Sequence, residues 1–118
     1  MQMLEKSLRE EWKKFRKNGI RFVTSGRKDR LPKSLLQLIE EVTDATKDLK
    51  AFTLHIALDY GGKDEVIRAA NKILSAPLRG RELITEEMIR SSVDQPDLPD
   101  IDLIIRTSGE MRTSNFFL

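Results

Sequence analysis

"AFTLHIALDYGGKDEVIRAA", residues 51–70, holds a strand, a glycine turn and the start of a helix in one short run. Phe52, Leu54, Ile56 and Leu58 alternate with Thr53, His55, Ala57 and Asp59, the period of a strand with one face on a core. Tyr60-Gly61-Gly62 ends that strand. Asp64 and Glu65 then place carboxylates where the positive end of a helix dipole favours them. Val66, Ile67, Ala70, Ile73 and Leu74 recur at helical spacing and form the expected apolar face of this helix.

The same grammar extends in both directions. Upstream, Leu4, Leu8, Trp12 and Phe15 line one side of a helix over 2–17, which Asn18-Gly19 stops. "IRFVTSG" (20–26) reads as a strand ending in a glycine turn. Pro32 suits the first turn of a second helix, whose apolar face is Leu35, Leu38, Ile39, Val42 and Ala45. Downstream, Thr85-Glu86-Glu87 supplies an N-cap and an acidic first turn for a short helix. The "RGRE" stretch (79–82) is a polar loop without an assigned role. Prolines 96 and 99 mark an extended connection, and "DLIIR" (102–106) reads as a third strand. Strands separated by helices imply an α/β fold, a parallel β-sheet with covering helices. Each of the three expected strands exits through a glycine-bearing turn, and open α/β sheets bind ligands beyond those carboxyl ends. One shared crevice is therefore expected.

Composition narrows the class. The chain has 118 residues, 39% hydrophobic and 34% charged, and no cysteine. It is one domain at most, with enough length for a core. Disulfides and thiolate metal sites are excluded, which fits a cytoplasmic setting. No apolar run is long enough to cross a bilayer, and the charged start does not resemble a signal peptide. The formal charge of +2 hides an asymmetry: residues 1–33 carry 11 Lys/Arg against 4 Asp/Glu, the remainder 10 against 15. A basic front end suits phosphate, nucleic acid or an anionic surface, and equally a solvated helix face followed by a charged loop.

The chemistry gathers in "DLIIRTSGEMRTSNFFL" (102–118). Arg106 stands at the expected strand end, and Thr107-Ser108-Gly109 let backbone come close to a ligand. Arg112, Thr113, Ser114 and Asn115 follow. Two permanently charged guanidinium forks with hydroxyl and amide groups nearby make a receptor for phosphate or diphosphate. Arginines at strand ends also serve as structural partners of acids, and Asp102 and Glu110 are close in sequence. Spacing alone leaves both readings open.

Residue order goes further. The 102–118 segment resembles the signature of the cis-prenyltransferases, the undecaprenyl diphosphate synthase family: Asp-Leu, two apolar residues, Arg-Thr-Ser/Gly-Gly-Glu-x-Arg-x-Ser-Asn-Phe. "LHIALDYGGKDEVIRAA" (54–70) is similar to that family's Asn-Ile-Ala-Leu-Asn-Tyr-Gly-Gly-Arg-Asp-Glu-Ile segment. "IRFVTSGRKDRLP" (20–32) stands in place of its Ile-Gly-Asp…Leu-Pro segment, and "LITEEMI" (83–89) in place of a short family helix. The likeness covers nearly the whole chain in order. It implies repeated addition of isopentenyl diphosphate to an allylic diphosphate such as farnesyl diphosphate, forming cis double bonds and a polyprenyl diphosphate. It further implies that Arg106, Arg112 and Ser114 hold the diphosphate of isopentenyl diphosphate, with Glu110, Asn115, Gly61 and Gly62 supporting the loop.

The resemblance also implies Mg2+ as cofactor, a cytoplasmic homodimer, no nucleic-acid partner, and peripheral membrane contact through the lipid product. The family's Asp-Gly-Asn-Gly-Arg loop, which carries its catalytic aspartate, is absent. So are the metal-ligating glutamate and much of the dimer-forming region. The chain is therefore expected to be a single partial domain over 1–118, an internal fragment inactive alone, with no catalytic residue and no metal ligand of its own. Asp59 stands where the family has Asn or Ser, Lys63 where it has Arg, and Ser25-Gly26-Arg27 replaces Ile-Gly-Asp. Two other readings stand beside this one. One is a non-catalytic diphosphate-binding or partner-subunit module of the same fold. The other is a basic nucleic-acid-binding domain, for which 13–30 lacks interleaved aromatics and any reading motif. His55 is read as a packed or hydrogen-bonded strand residue.

Overall fold

The computed structural model describes residues 1–77 and 83–116. The "RGRE" stretch and the terminal Phe117-Leu118 lie outside the described residues. The chain divides into two compact units, Met1–Asp59 and Tyr60–Leu118.

The first unit is helix, strand, helix, strand. Helix α1 (Gln2–Lys17) ends at Asn18 and turns at Gly19, whose φ of 69° an L side chain rarely adopts. Strand β1 (Ile20–Ser25) leads through a loop to α2 (Lys33–Thr46), with Pro32 at its N-cap. Strand β2 (Phe52–Ala57) pairs in parallel with β1, Ile20 opposite Phe52 and Ser25 opposite Ala57. The expected periodicities are met except at Phe52, which opens β2 and is exposed. Leu8, Phe22, Leu31, Leu35, Leu38, Ile39 and Val42 form the buried cluster, against which Leu4, Trp12, Phe15, Leu54, Ile56 and Leu58 pack. The Phe15 and Phe22 rings stack with centroids 6.1 Å apart.

Buried polar residues escape any apolar pattern, and Thr46 is the most buried of those described. Thr46 is fully buried at the end of α2. Its Oγ1 donates to the Val42 carbonyl at 2.8 Å and accepts the Phe22 N–H at 3.0 Å. A helix side chain thus satisfies a strand donor that would otherwise be buried and bare. Thr46→Val keeps the shape and strands that N–H, so it is expected to cost about 2 kcal/mol. Urea unfolding of the variant measures it.

In the second unit, α3 (Gly62–Ser75) packs on α4 (Glu86–Ser92). The expected N-cap of α4 forms, with Thr85 Oγ1 accepting the Met88 N–H at 3.2 Å. Two expectations fail here. The buried stripe of α3 is Gly62, Glu65, Ala69 and Ile73, while Val66, Ile67 and Leu74 are exposed. A carboxylate takes part in that stripe because its charge is fully hydrogen-bonded, as set out below. The second failure is the third strand. Residues 102–106 are irregular, the sheet has two strands among the described residues, and Leu103 and Ile105 are 75% and 85% exposed. A strand persists only where its N–H and C=O groups find a ladder, and among the described residues 102–106 has none. Apolar composition marks such a run as fit for burial without supplying the partner.

Candidate functional site

Two places in the molecule concentrate chemistry, one in each unit. The first is where β1 and β2 end. Ser25 O accepts the Leu58 N–H at 2.8 Å, and the Asp59 carbonyl accepts the Arg27 N–H at 3.2 Å, so the ladder continues past the strand ends. Gly26 makes this crossing feasible: at its φ of +116° an added Cβ would lie 1.9 Å from the Leu58 carbonyl oxygen. Asp59 sits at φ 47° and receives the Arg30 guanidinium as a two-point fork, at 2.6 and 2.7 Å. Arg27 forks in the same manner onto Asp29 and holds that carboxyl below the usual carboxylate range. Of the departures seen in sequence, Asp59 at the β2 exit thus meets Arg30, and Arg27 meets Asp29. His55 Nε2 lies 2.8 Å from the Ser25 hydroxyl, in keeping with a hydrogen-bonded strand histidine.

The second place is the loop 106–116. Arg106 is extended (φ −125°), and a 3-10 turn at Thr107–Gly109 follows. Ser108, Gly109 and Ser114 adopt left-handed φ of 73°, 69° and 54°. The Arg106 guanidinium donates through Nη1 to the Arg112 carbonyl, which folds the start of the loop onto its middle. Arg112 Nε lies 3.2 Å from Glu110, an exposed pair. Such a pair contributes between nothing and about 1 kcal/mol, so an incoming anion displaces Glu110 at little cost. Ser114 is exposed and opens the last turn, which the Phe116 N–H closes on the Thr113 carbonyl at 3.0 Å.

Asn115 docks that turn on α3. Its backbone carbonyl accepts the Gly62 N–H at 2.7 Å, and its Oδ1 accepts the Lys63 N–H at 3.1 Å. The first N–H groups of a helix have no partner inside it, and Asn115 fills that role from far along the chain. A Cβ at Gly61 would lie 2.7 Å from Asn115 Nδ2, so a larger residue there would have to displace that side chain. The sequence-derived site residues thus form two linked groups, Arg106 with Arg112 and Glu110, and Asn115 with Gly61 and Gly62. Sequence reasoning missed Tyr60, Glu65, Arg68 and Asp94, which tie the same region together. Their signal was a buried-phase carboxylate in an apolar stripe, legible only once the stripe's true phase is known.

The family model described as putative undecaprenyl diphosphate synthase matches residues 1–118. The chain belongs to this family. Among curated relatives, the isoprenyl transferase of Fusobacterium nucleatum is 45% identical over 118 residues, covering all of this chain and 50% of the relative. The tritrans,polycis-undecaprenyl-diphosphate synthase (geranylgeranyl-diphosphate specific) of Pyrococcus horikoshii is 40% identical, over all of this chain and 47% of its own length. A probable undecaprenyl diphosphate synthase from Campylobacter jejuni superposes with a TM-score of 0.83 at 32% identity, over 98% of this chain and 52% of that one. Lavandulyl diphosphate synthase from Lavandula x intermedia, in complex with dimethylallyl diphosphate, gives a TM-score of 0.88 at 32% identity, over 100% and 53%. The chain spans about half the length of the curated relatives it matches.

A cis-prenyltransferase leads one to look for a magnesium site. Among the described residues no three His, Cys, Asp or Glu side chains gather around a common point. Nor is any described helix long and apolar enough to cross a membrane.

Proposed function

We propose that this chain carries the isopentenyl-diphosphate half of a cis-prenyltransferase site, with Arg106, Arg112 and Ser114 holding the diphosphate. The observation that carries the reading is the loop itself. Arg106 is folded against the backbone of Arg112, which keeps two cationic forks on one short exposed segment. A diphosphate bears more negative charge than one guanidinium offsets, and two forks match its oxygens. Binding of this kind orients the reacting group, one of the larger contributions to catalysis. Glu110 neutralises Arg112 until the anion arrives, while Asn115, Gly61 and Gly62 support the loop.

In the whole enzyme the partner substrate is an allylic diphosphate such as farnesyl diphosphate, and the product a polyprenyl diphosphate. The Pyrococcus horikoshii relative is named as specific for geranylgeranyl diphosphate, and the Lavandula x intermedia relative is in complex with dimethylallyl diphosphate. Residues 1–118 are read as one partial domain of a cytoplasmic homodimer, with membrane contact through the lipid product and magnesium ligands outside this chain. The alternative is a module of the same fold that binds diphosphate without chemistry.

Calorimetric titration of isopentenyl diphosphate into the chain tests the reading. Saturable binding at physiological salt, and no product on adding farnesyl diphosphate and magnesium, is the expected result. Binding to arbitrary duplex DNA with no affinity for isopentenyl diphosphate would instead support a nucleic-acid role.

A further inference from the structure

We propose that Glu65 and Tyr60 are positioning residues for the diphosphate loop, acting through Phe116 and Asn115 without touching the anion. The proposal rests on the role given above to Arg106, Arg112 and Ser114.

Glu65 is 8% exposed, in the buried stripe of α3. An unpaired carboxylate there would be costly, but both of its oxygens are engaged. Oε2 accepts the Tyr60 hydroxyl, and Oε1 accepts the Asp94 N–H at 3.0 Å. Asp94 is itself fixed, because Arg68 donates to both of its carboxylate oxygens, the Nη2 bond being 2.9 Å, and Arg68 also reaches Asp64 at 2.8 Å. Glu65 therefore joins the segment entering α3 to the connection leaving α4.

What Glu65 orients is the tyrosine ring. Bonded at its hydroxyl, Tyr60 presents its ring edge-to-face to Phe116, with centroids 5.5 Å apart and planes at 71°. Phe116 closes the turn begun at Thr113, and the same turn carries Ser114 and Asn115. The carboxyl end of the loop is thus held at the α3 N-terminus by Asn115 and at the Tyr60 ring by Phe116. Its remaining residues are exposed and are tied chiefly to each other. Rotating Tyr60 away removes an anchor from a loop that must present two guanidinium groups and a hydroxyl in one geometry. An aromatic pair of this kind is directional, so ring orientation and not mere apolar bulk matters.

The test uses the full chain, Tyr60→Phe, Glu65→Gln, Phe116→Leu and the double variant Tyr60→Phe/Glu65→Gln, with inorganic pyrophosphate as probe. Tyr60→Phe keeps the ring and deletes only the orienting hydroxyl. Two quantities are measured: amide hydrogen exchange of residues 110–116 without ligand, and pyrophosphate affinity by calorimetry. Tyr60→Phe is expected to speed exchange about fivefold and to weaken affinity by a similar factor, with urea unfolding of Met1–Asp59 unchanged. The double variant is expected to lose no more affinity than the weaker of its two single variants, because the two groups act in series. Unchanged exchange in both Tyr60→Phe and Phe116→Leu overturns the relay, whatever the loop binds. Faster exchange with unchanged affinity overturns its positioning role. Should exchange respond while Arg106→Ala leaves affinity intact, the diphosphate reading fails and the relay stands.

Discussion

Arg106→Ala and Arg112→Ala are each expected to weaken binding of pyrophosphate to this chain by about 10- to 100-fold, the range for losing a charge-assisted hydrogen-bonding partner. The two differ in mechanism. Arg112 meets the anion only after releasing Glu110, a weak exposed partner at 3.2 Å. Arg106 is tied to the Arg112 carbonyl, so its loss removes a charge and also loosens the loop. Arg112→Lys keeps the charge and loses the fork, and an intermediate affinity is expected. Glu110→Gln removes the resting competitor, and binding is expected to tighten. Calorimetry at one fixed ionic strength gives all four values, since screening would otherwise confound them. Equal affinity in the wild-type chain and both alanine variants would remove the basis for a diphosphate clamp.

Gly26→Ala is expected to destabilise Met1–Asp59 by on the order of 3 kcal/mol or more. Both the left-handed φ and the space argue for it. The new Cβ would stand 1.9 Å from the Leu58 carbonyl oxygen and 2.9 Å from its carbon, and both are backbone atoms. No side chain can swing aside, so the ends of β1 and β2 must separate. That separation breaks the Leu58–Ser25 and Arg27–Asp59 backbone bonds and draws Arg30 from Asp59. Gly109→Ala is the control. Gly109 has a left-handed φ of +69° but nothing within 4 Å of an added Cβ, so only backbone strain of about 1 kcal/mol is expected. Urea midpoints of the two variants decide the matter. Equal losses would mean that close approach at Gly26 is not what selects glycine there.

Much of this was legible in residue order because local patterns report local physics. The α1 stripe of Leu4, Leu8, Trp12 and Phe15, the stop at Asn18-Gly19 and the Thr85 cap all follow from helix periodicity and end chemistry, and all appear as expected. The third strand did not, because a strand is a pairing of two segments and periodicity describes only one. The α3 face was misphased for a related reason. Val66, Ile67 and Leu74 are more apolar than Glu65, but only Glu65 has Tyr60 and Asp94 waiting for it. At the candidate site, Arg106, Arg112 and Ser114 stood out by type and order. That Asn115 would cap α3 from 52 residues away had no local signature.

The sequence by itself determined the secondary elements of the first unit, most of its apolar core and the family, since these depend on side-chain type and on spacing along one segment. Only the tertiary structure decided which polar groups the fold depends on: Thr46 closing a donor of β1, Arg30 meeting the acid at the β2 exit, Glu65 inside an apolar stripe. A buried or bonded polar group is stable only through its partner's position. That position is a property of the folded chain.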